Sequence, residues 1–379
     1  MKNLWQELKS LKGNTYFWIL SFLFFLILFL FFIAPATVGN VSYRKGMKIE
    51  KELIANVIKE LPMLDKEDYD RRMLTLANNP PVIPPPVKKD ENGNIISPSE
   101  TPPKVNLWPP QKAYPNAGAI LPFNRVIAYY GNLYSKKMGV LGEYEEDIML
   151  GKLNTEVAKW NKADPKTPAI PALHYIVTVA QGSAGADGKY RSRMPDSEIQ
   201  KVFKMANKIN AIVFLDIQVA LSDLKTELPI LKKYLELPNV HLGIDPEFSM
   251  KTMAKPGTVV GTMDGELDVN FAINYLSEIV KDKNIPPKIL VVHRYTKKML
   301  TNYAKITPTS EVQVVIHMDG WGGKDKKKGT YRNFIYPEPV QFAGFKLFYK
   351  NDTKEPNTTI LTPEELLKLN PRPIYIQYQ

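Results

Sequence analysis

Two carboxyl groups, those of Asp245 and Glu247, stand at the end of a short aliphatic segment that begins at Val240. If this segment is a β-strand, its side chains alternate between two faces, so both carboxyl groups leave the strand on the same face. Neighbouring carboxyl groups raise the pKa of one member of the pair, which suits the acid catalysis that glycoside cleavage needs. We therefore predict that Asp245 and Glu247 form a catalytic pair.

Other predicted strand ends also carry ionisable, amide and aromatic side chains. Asp216 and Gln218 share one face of an earlier strand, and His317 shares a face with Asp319 on a later one. Burying several unpaired charges is costly, so this set indicates a functional site, with Asp216 as a third catalytic residue. Flat aromatic faces mixed with planar polar groups are typical of sugar binding. The predicted substrate-binding residues are Tyr129, Tyr130, Gln181, Gln218, His293, Arg294, His317, Asp319, Trp321 and Gln377.

Alternating strand and helix patterns, which begin at Asn124, would bring these strand ends together. The strand candidates are Arg125–Gly131, Ala172–Ala180, Ala211–Gln218, Val240–Asp245, Lys288–His293, Val312–Met318, Phe342–Tyr349 and Pro373–Tyr378. The helix candidates are Leu141–Trp160, Asp196–Ile209, Leu221–Leu237, Asp268–Lys283, Thr296–Ile306 and Thr362–Leu369, and the segment 318–341 is predicted to replace a helix. This rhythm predicts an α/β fold, a (β/α)8 TIM-type barrel with its active site at the carboxyl ends of the strands. An open doubly wound sheet is the alternative, although no phosphate-binding glycine fingerprint follows the first strand.

The amino-terminal part of the chain is organised differently. An apolar run without charges follows Lys2, Lys9 and Lys12, and its length suits one helical crossing of a bilayer. A cleaved signal peptide is the alternative, since Ala34-Pro35-Ala36 resembles a cleavage site. We predict a protein of the cell membrane with a single span and an extracytoplasmic carboxyl-terminal domain. The predicted parts are a cytoplasmic segment at 1–14, a transmembrane anchor at 15–35, a helical stalk at 36–78, a proline-rich linker at 79–123 and the barrel domain at 124–379.

The composition narrows the choice of partners. The 379 residues include 50 lysines and arginines against 39 aspartates and glutamates, which gives a formal net charge of +11. This charge favours anionic surroundings, such as a membrane surface or an acidic polysaccharide of the cell envelope. No nucleic-acid-binding motif accompanies the charge, so we predict no nucleic-acid partner. The chain has no cysteine, which excludes disulfides and thiolate metal sites, and we predict no cofactor and no metal.

The segment Ile244–Glu247 resembles a known signature of sugar-cleaving barrels. Its sequence Ile-Asp-Pro-Glu is similar to the end of the Asp-x-Asp-x-Glu motif on strand four of family 18 chitinase-like barrels. The Asp-x-Glu of family 25 lysozyme-like barrels is also similar. The resemblance implies that Glu247 is the general acid and that Asp245 positions an acetamido group or stabilises charge. Gly243 stands where the chitinase pattern has another aspartate.

A broader resemblance covers most of residues 124–320. Five segments are similar to those of exported bacterial proteins usually called hypothetical lipoproteins, namely Val126–Gly131, Met138–Gly142, Asp216–Gln218, Asp245–Met250 and Val291–Arg294. This resemblance implies an envelope location and a barrel domain. The lipid-bearing cysteine of that group is absent here, and the predicted hydrophobic anchor takes its place.

Three functions are compatible with these residues. The one we favour is a membrane-anchored glycoside hydrolase that acts on envelope or extracellular polysaccharide. The second is a non-catalytic glycan-binding or scaffold barrel. The third is a metal-dependent hydrolase that would hold a divalent ion with His293, His317, Asp319 and Asp216, although neither His-x-His nor His-Glu-x-x-His occurs.

Overall fold

The structure is a computed structural model, and it describes residues 63–80, 88–89, 95–96, 106–356 and 358–379. The predicted cytoplasmic segment, the predicted span at 15–35 and most of the predicted stalk lie outside these residues. Within the described ranges, none of the helices combines the length and the apolar character that a membrane crossing requires.

Eight parallel strands form a closed sheet at the centre of the fold. They are β1 Arg125–Gly131, β2 Ala169–Ala180, β3 Ile212–Ile217, β4 Val240–Ile244, β5 Lys288–Arg294, β6 Val312–Met318, β7 Phe342–Leu347 and β8 Tyr375–Tyr378. Each strand pairs with the next one along the chain, and β8 pairs with β1. The closed sheet confirms the predicted TIM-type α/β barrel and excludes the open doubly wound sheet.

Helices and short turns connect the strands. The helices are α1 Lys66–Ala77, which precedes the barrel, α2 Val140–Glu143, α3 Glu146–Ala163, α4 Asp196–Lys208, α5 Leu224–Glu227, α6 Lys232–Leu235, α7 Asn270–Lys283, α8 Lys324–Phe334 and α9 Pro363–Leu366. Turns of 3-10 helix lie at Leu228–Leu231, Pro246–Phe248, Lys297–Met299 and Tyr303–Lys305, and a π-helical turn lies at Gly265–Val269. Short additional strands are Lys88–Lys89 with Ile95–Ile96, Met263–Asp264 with Leu300–Thr301, and Arg191–Arg193 beside β2.

Two of the helix predictions are wrong. The segment Thr296–Ile306 forms two 3-10 turns and a short strand, because Asn302 has a left-handed backbone with φ of 51°, which interrupts a helix. Conversely, α8 lies in the segment that was expected to lack a helix. Its buried residues are Lys327 and Tyr331, so no apolar periodicity marks this helix in the sequence.

Apolar side chains from outside the strands close the amino-terminal end of the barrel interior. Helix α1 contributes Tyr69, Met73 and Leu76, which pack with Leu121 against inward side chains of the strands. The side chain of Gln313 holds Leu121 in place, because it donates to the Leu121 carbonyl (2.5 Å) and accepts from its amide (3.1 Å). The sequence prediction places these residues in a stalk and a linker. In the structure they belong to the barrel core, since apolar surface at this end must be shielded from water.

Candidate active site

An open pocket of about 580 Å³ lies at the carboxyl ends of the strands, where TIM barrels have their active sites. Because all eight strands are parallel, the residues that follow them meet on this side of the barrel. The predicted site residues in the pocket lining are Tyr130, Gln218, Asp245, Glu247, Asp319 and Trp321. The structure therefore brings together six of the residues that the sequence singled out.

Asp245 follows β4 and is almost fully buried in the pocket wall. Its Oδ1 accepts a hydrogen bond from the Glu247 amide (3.0 Å), and Gln218 Nε2 donates to its Oδ2 (3.3 Å). Burial raises the pKa of Asp245 to about 8 against the opposing charge of His293, and the neighbouring Glu247 adds to the rise. Asp245 therefore keeps its proton at neutral pH.

Glu247 is less buried than Asp245 and lies on the pocket surface. The hydroxyl of Tyr295 donates to its Oε1 (3.0 Å). Burial raises the pKa of Glu247, and the negative charge of Asp319 adds to this effect, although the Tyr295 hydrogen bond opposes it. A carboxyl group that faces the pocket and has a raised pKa is suited to donate a proton to a ligand.

The pKa of Asp319, which follows β6, is shifted in the opposite direction to that of Glu247. Its Oδ2 lies 2.7 Å from His293 Nδ1, and its Oδ1 lies 2.9 Å from Lys346 Nζ. Burial alone would raise the pKa of Asp319, but the charges of Lys346 and His293 hold it well below the ordinary range. The pocket thus contains carboxyl groups whose pKa values are driven apart, which is the pattern of an acid and its ionised partner.

Asp216 lies beneath the pocket floor instead of at its surface. Its Oδ2 accepts a hydrogen bond from the Tyr130 hydroxyl (3.0 Å), and its Oδ1 lies 3.2 Å from His174 Nε2 and 3.5 Å from His293 Nε2. Burial would raise the pKa of Asp216, but His293 and His174 hold it well below the ordinary range. All these groups are buried. The predicted catalytic role of Asp216 in contact with substrate therefore does not fit its position.

The pKa values of the two histidines beside Asp216 are shifted in opposite directions. Burial would lower the pKa of His293, but the carboxylates of Asp216 and Asp319 on its two sides raise it to about 10. Burial lowers the pKa of His174 to about 4, although Asp216 acts against this effect. Asp216 therefore lies between a histidine with a raised pKa, His293, and a histidine with a lowered pKa, His174.

Gly243 on β4 leaves space for the buried polar groups that surround Asp216. These groups, Tyr130, His174 and His293, form with Asp216 what we call the Asp216 layer. A Cβ atom at this position would overlap with Asp216 Oδ1 and His174 Nε2. The aspartate of the chitinase pattern could not occupy this place without displacing both side chains. The departure from that pattern therefore has a steric cause, because neighbouring strands fill the space with other polar groups.

Tyr129 and Arg294 were predicted to bind substrate, but both face away from the barrel interior. The Tyr129 hydroxyl lies 3.0 Å from that of Tyr349, and Arg294 forms an ion pair of 2.5 Å with Glu338. Residues alternate along a strand, so the inward positions next to them are Tyr130 and His293. Substrate binding by Tyr129 and Arg294 does not fit the structure.

Gln181, His317 and Gln377 also lie away from the pocket surface. Gln181 is in the loop after β2, and the pocket lining formed by the described residues does not include it. His317 is fully buried, with its ring centroid 5.1 Å from that of His293 and 5.0 Å from that of Tyr375. Gln377 Nε2 donates to the Tyr375 hydroxyl (3.0 Å). His317 and Gln377 belong to the polar layer under the pocket.

Three residues that shape the site were missed in the sequence. Lys346 forms an ion pair with Asp319, the Tyr295 hydroxyl donates a hydrogen bond to Glu247, and His174 lies next to Asp216. Strand parity identifies two of them, because Lys346 shares the inward face of Phe342, and His174 that of Ala172. Tyr295 lies just beyond β5, where no strand period applies.

One group of side chains within the described part of the chain is arranged closely enough to share a metal ion. It consists of His174, Asp216 and His293, whose ligand atoms lie within 4.8 Å of one another. The set considered from the sequence overlaps with this group only in His293 and Asp216.

Comparisons with known proteins leave the family open. No family model and no curated protein matches the chain. Among solved structures, a ruminal GH26 endo-beta-1,4-mannanase is similar, with 10% sequence identity and a TM-score of 0.32 over 68% of this chain. The match covers 59% of the mannanase chain. At this TM-score the likeness carries no argument about activity, and the resemblances drawn from the sequence stay predictions.

Proposed function

We propose that the protein is a glycoside hydrolase in which Glu247 is the general acid and Asp319 is the ionised carboxylate. One observation carries this proposal: Glu247, with a raised pKa, and Asp319, with a lowered pKa, line the same open pocket at the carboxyl end of a TIM-type barrel. Glycosidases use such a pair of carboxyl groups. The fold alone would not support the assignment, because TIM barrels host many chemistries.

In the proposed reaction, Glu247 transfers its proton to the glycosidic oxygen as the bond between that oxygen and the anomeric carbon breaks. The carboxylate of Asp319 stabilises the positive charge that develops on the sugar. A water molecule then supplies the hydroxyl group to the anomeric carbon, and its remaining proton restores Glu247. Asp245, which stays protonated, donates a hydrogen bond to the substrate.

The pocket rim supports an acidic polysaccharide as the substrate class. Trp321 is 50% exposed there and offers a flat face on which a sugar ring can stack. Lys326 Nζ lies 4.5 Å from the centroid of the Trp321 ring, and Lys137 also lines the pocket. Ammonium groups beside a stacking surface favour sugars that carry carboxylate or phosphate groups.

We also propose that residues 15–35 anchor the protein in the cell membrane, with the barrel outside the cytoplasm. The support is the uncharged apolar run in the sequence, which lies outside the described residues. The test is fractionation of cells followed by an alkaline wash and by protease treatment of intact cells. Recovery of the protein in the soluble fraction, or protection of the barrel from external protease, would contradict the proposal.

The decisive experiment measures new reducing ends released from a panel of neutral polysaccharides, uronic-acid polysaccharides and peptidoglycan. The full-length protein is compared with Glu247→Gln, which keeps the size of the side chain but has no proton of suitable pKa to give. We expect the variant to lose about 10²- to 10⁴-fold in rate, as is usual for removal of a general acid.

The matched control is Glu145→Gln, because Glu145 is an exposed carboxylate with 86% of its side chain accessible. We expect full activity from this variant. An equal rate for Glu247→Gln and the wild type would refute the assignment of the acid. Binding of a polysaccharide by the wild type without any release of reducing ends would instead identify a non-catalytic glycan-binding barrel.

A further inference from the structure

Three ligand atoms converge beneath the pocket floor. Asp216 Oδ1 lies 3.2 Å from His174 Nε2 and 3.5 Å from His293 Nε2. In a tetrahedral zinc site with bonds of about 2.0–2.1 Å, neighbouring ligand atoms lie about 3.4 Å apart. The two separations to Asp216 therefore match those of ligands around one ion.

Each of the three side chains is held by its other polar atom. His293 Nδ1 lies 2.7 Å from Asp319 Oδ2, and His174 Nδ1 lies 2.6 Å from the Tyr375 hydroxyl. The second oxygen of Asp216 accepts from a tyrosine hydroxyl. Metal-binding histidines usually donate their second ring nitrogen to a carboxylate or another acceptor, which leaves the first nitrogen with its lone pair. A carboxylate only accepts, so Nδ1 of His293 must carry a proton.

The converging atoms themselves lack hydrogen bonds of acceptable geometry. His174 Nε2, Asp216 Oδ1 and His293 Nε2 are buried and have no hydrogen-bond partner among the residues that the structure describes. Each residue is fully buried, so the missing partner would be costly. Gly243 faces the same place, and any side chain there would overlap with two of the three atoms.

We propose that His174, Asp216 and His293 bind one divalent transition-metal ion of the zinc type. Two imidazole nitrogens and one carboxylate oxygen form a donor set that such ions prefer. The two carboxylates on either side of His293 require a positive charge between them. An ion bound at His293 Nε2 would supply positive charge between Asp216 and Asp319.

The three proposed ligands are different residues from the proposed acid Glu247 and its partner Asp319, although Asp319 contacts the ligand His293. The ion lies under the floor that Tyr130 and Asp319 form, and no step of sugar cleavage is assigned to it. Its role is to hold the floor together and to fix the orientation of Asp319 through His293. The proposal therefore stands or falls independently of the glycoside hydrolase assignment.

The small number of metal-binding side chains in the sequence simplifies the test. The chain has no cysteine and only four histidines, and all four are buried inside the barrel. A metal ion that the untagged protein binds through histidine side chains therefore lies in the barrel interior. The full-length protein, purified without a histidine tag, is stripped with a chelator, reloaded with zinc alone and analysed for bound metal after gel filtration.

We expect one zinc ion per chain in the wild type and a loss of affinity of more than about 100-fold in His174→Gln and Asp216→Asn, since loss of an outer partner alone costs 10- to 100-fold. The control is His241→Gln, which changes a fully buried histidine of β4 outside the group and should retain one ion. Equal zinc retention by Asp216→Asn and the wild type would overturn the proposal, as would a wild type that retains no zinc at micromolar concentrations.

A second measurement covers the case in which a variant does not fold, as judged by circular dichroism. X-ray absorption of the zinc-loaded wild type should show a shell of nitrogen and oxygen atoms at about 2.0–2.1 Å, with the scattering pattern of two imidazole rings. A shell without imidazole scattering would place the ion on surface carboxylates and refute the site.

Discussion

The two ends of the barrel interior are filled by opposite kinds of side chain. At the amino-terminal end, Leu121 and Met73 pack among apolar residues such as Phe214 and Val315. At the carboxyl-terminal end, carboxylates, histidines and a buried lysine take the same inward positions. The described residues of the apolar cluster at the amino-terminal end carry no charge, whereas those at the carboxyl-terminal end include several buried charged side chains.

The difference shows how one barrel separates stability from chemistry. Apolar burial at the closed end is favourable without directional partners. Charges at the open end are tolerated only because each has a partner, as Asp319 has in His293 and Lys346. Mutations at the two ends should therefore lower the free energy of unfolding for different reasons. At the closed end they remove apolar packing, and at the open end they leave a buried charge without its partner.

The largest loss of stability should follow from Asp319→Asn. This change removes the carboxylate that pairs with buried Lys346 and leaves His293 with Asp216 as its other carboxylate partner, and breaking such a buried pair typically costs about 3–5 kcal/mol. Chemical denaturation of the full-length protein measures the free energy of unfolding. The control Asp282→Asn changes an exposed carboxylate and should stay within about 0.5 kcal/mol. Equal stability of Asp319→Asn and the wild type would show that the buried charges do not depend on this carboxylate.

At the closed end, Leu121→Ala should lower the free energy of unfolding by about 2–5 kcal/mol, because it removes a fully buried side chain from the apolar core. Activity of the folded fraction should be unchanged, since the pocket lies at the opposite end. The control Leu267→Ala alters a leucine that is 69% exposed. A loss of turnover in folded Leu121→Ala would show that the two ends are coupled.

Gly243→Ala tests the steric relation between β4 and the Asp216 layer. The added methyl group overlaps with Asp216 Oδ1 and His174 Nε2, so we expect a loss of about 1–3 kcal/mol. Gly151→Ala is the matched control, because Gly151 lies in α3 and its Cβ would meet open space. That substitution should stabilise the protein by roughly 0.5–1 kcal/mol. Similar effects of the two changes would contradict the tight packing at Gly243.

Asp245 gives the chain a dependence of stability on pH. The folded protein holds a proton on Asp245 up to pH of about 8, whereas the unfolded chain releases it near the ordinary pKa of 3.8. The free energy of unfolding contributed by this proton is complete below the lower value and falls as pH rises toward 8, by up to about 1.4 kcal/mol per pH unit. Asp245→Asn lacks this titration, so its stability relative to the wild type should rise across that range. Parallel curves for the two proteins would refute the raised pKa.

Much of the architecture was predictable because strand signals are local. β1 and β6 have the predicted limits, and the inward parity of Asp216 and Asp319 followed from alternation along their strands. The same rule, applied to β1 and β5, would have excluded Tyr129 and Arg294. Helix α8 could not be recognised in this way, because one of its buried residues is Lys327. The aliphatic part of this side chain is packed, and its ammonium group forms an ion pair with Asp352.

The sequence by itself determined the order of strands, the face on which each polar group lies and the carboxyl pair at the end of β4. These features depend on the chemistry of neighbouring residues along the chain. The tertiary structure alone decided which groups share a partner, that Asp216 lies below the floor while Glu247 reaches the pocket, and that α1 closes the opposite end. The reason is that burial and charge pairing depend on distances between strands far apart in the chain, and closure of the barrel sets those distances.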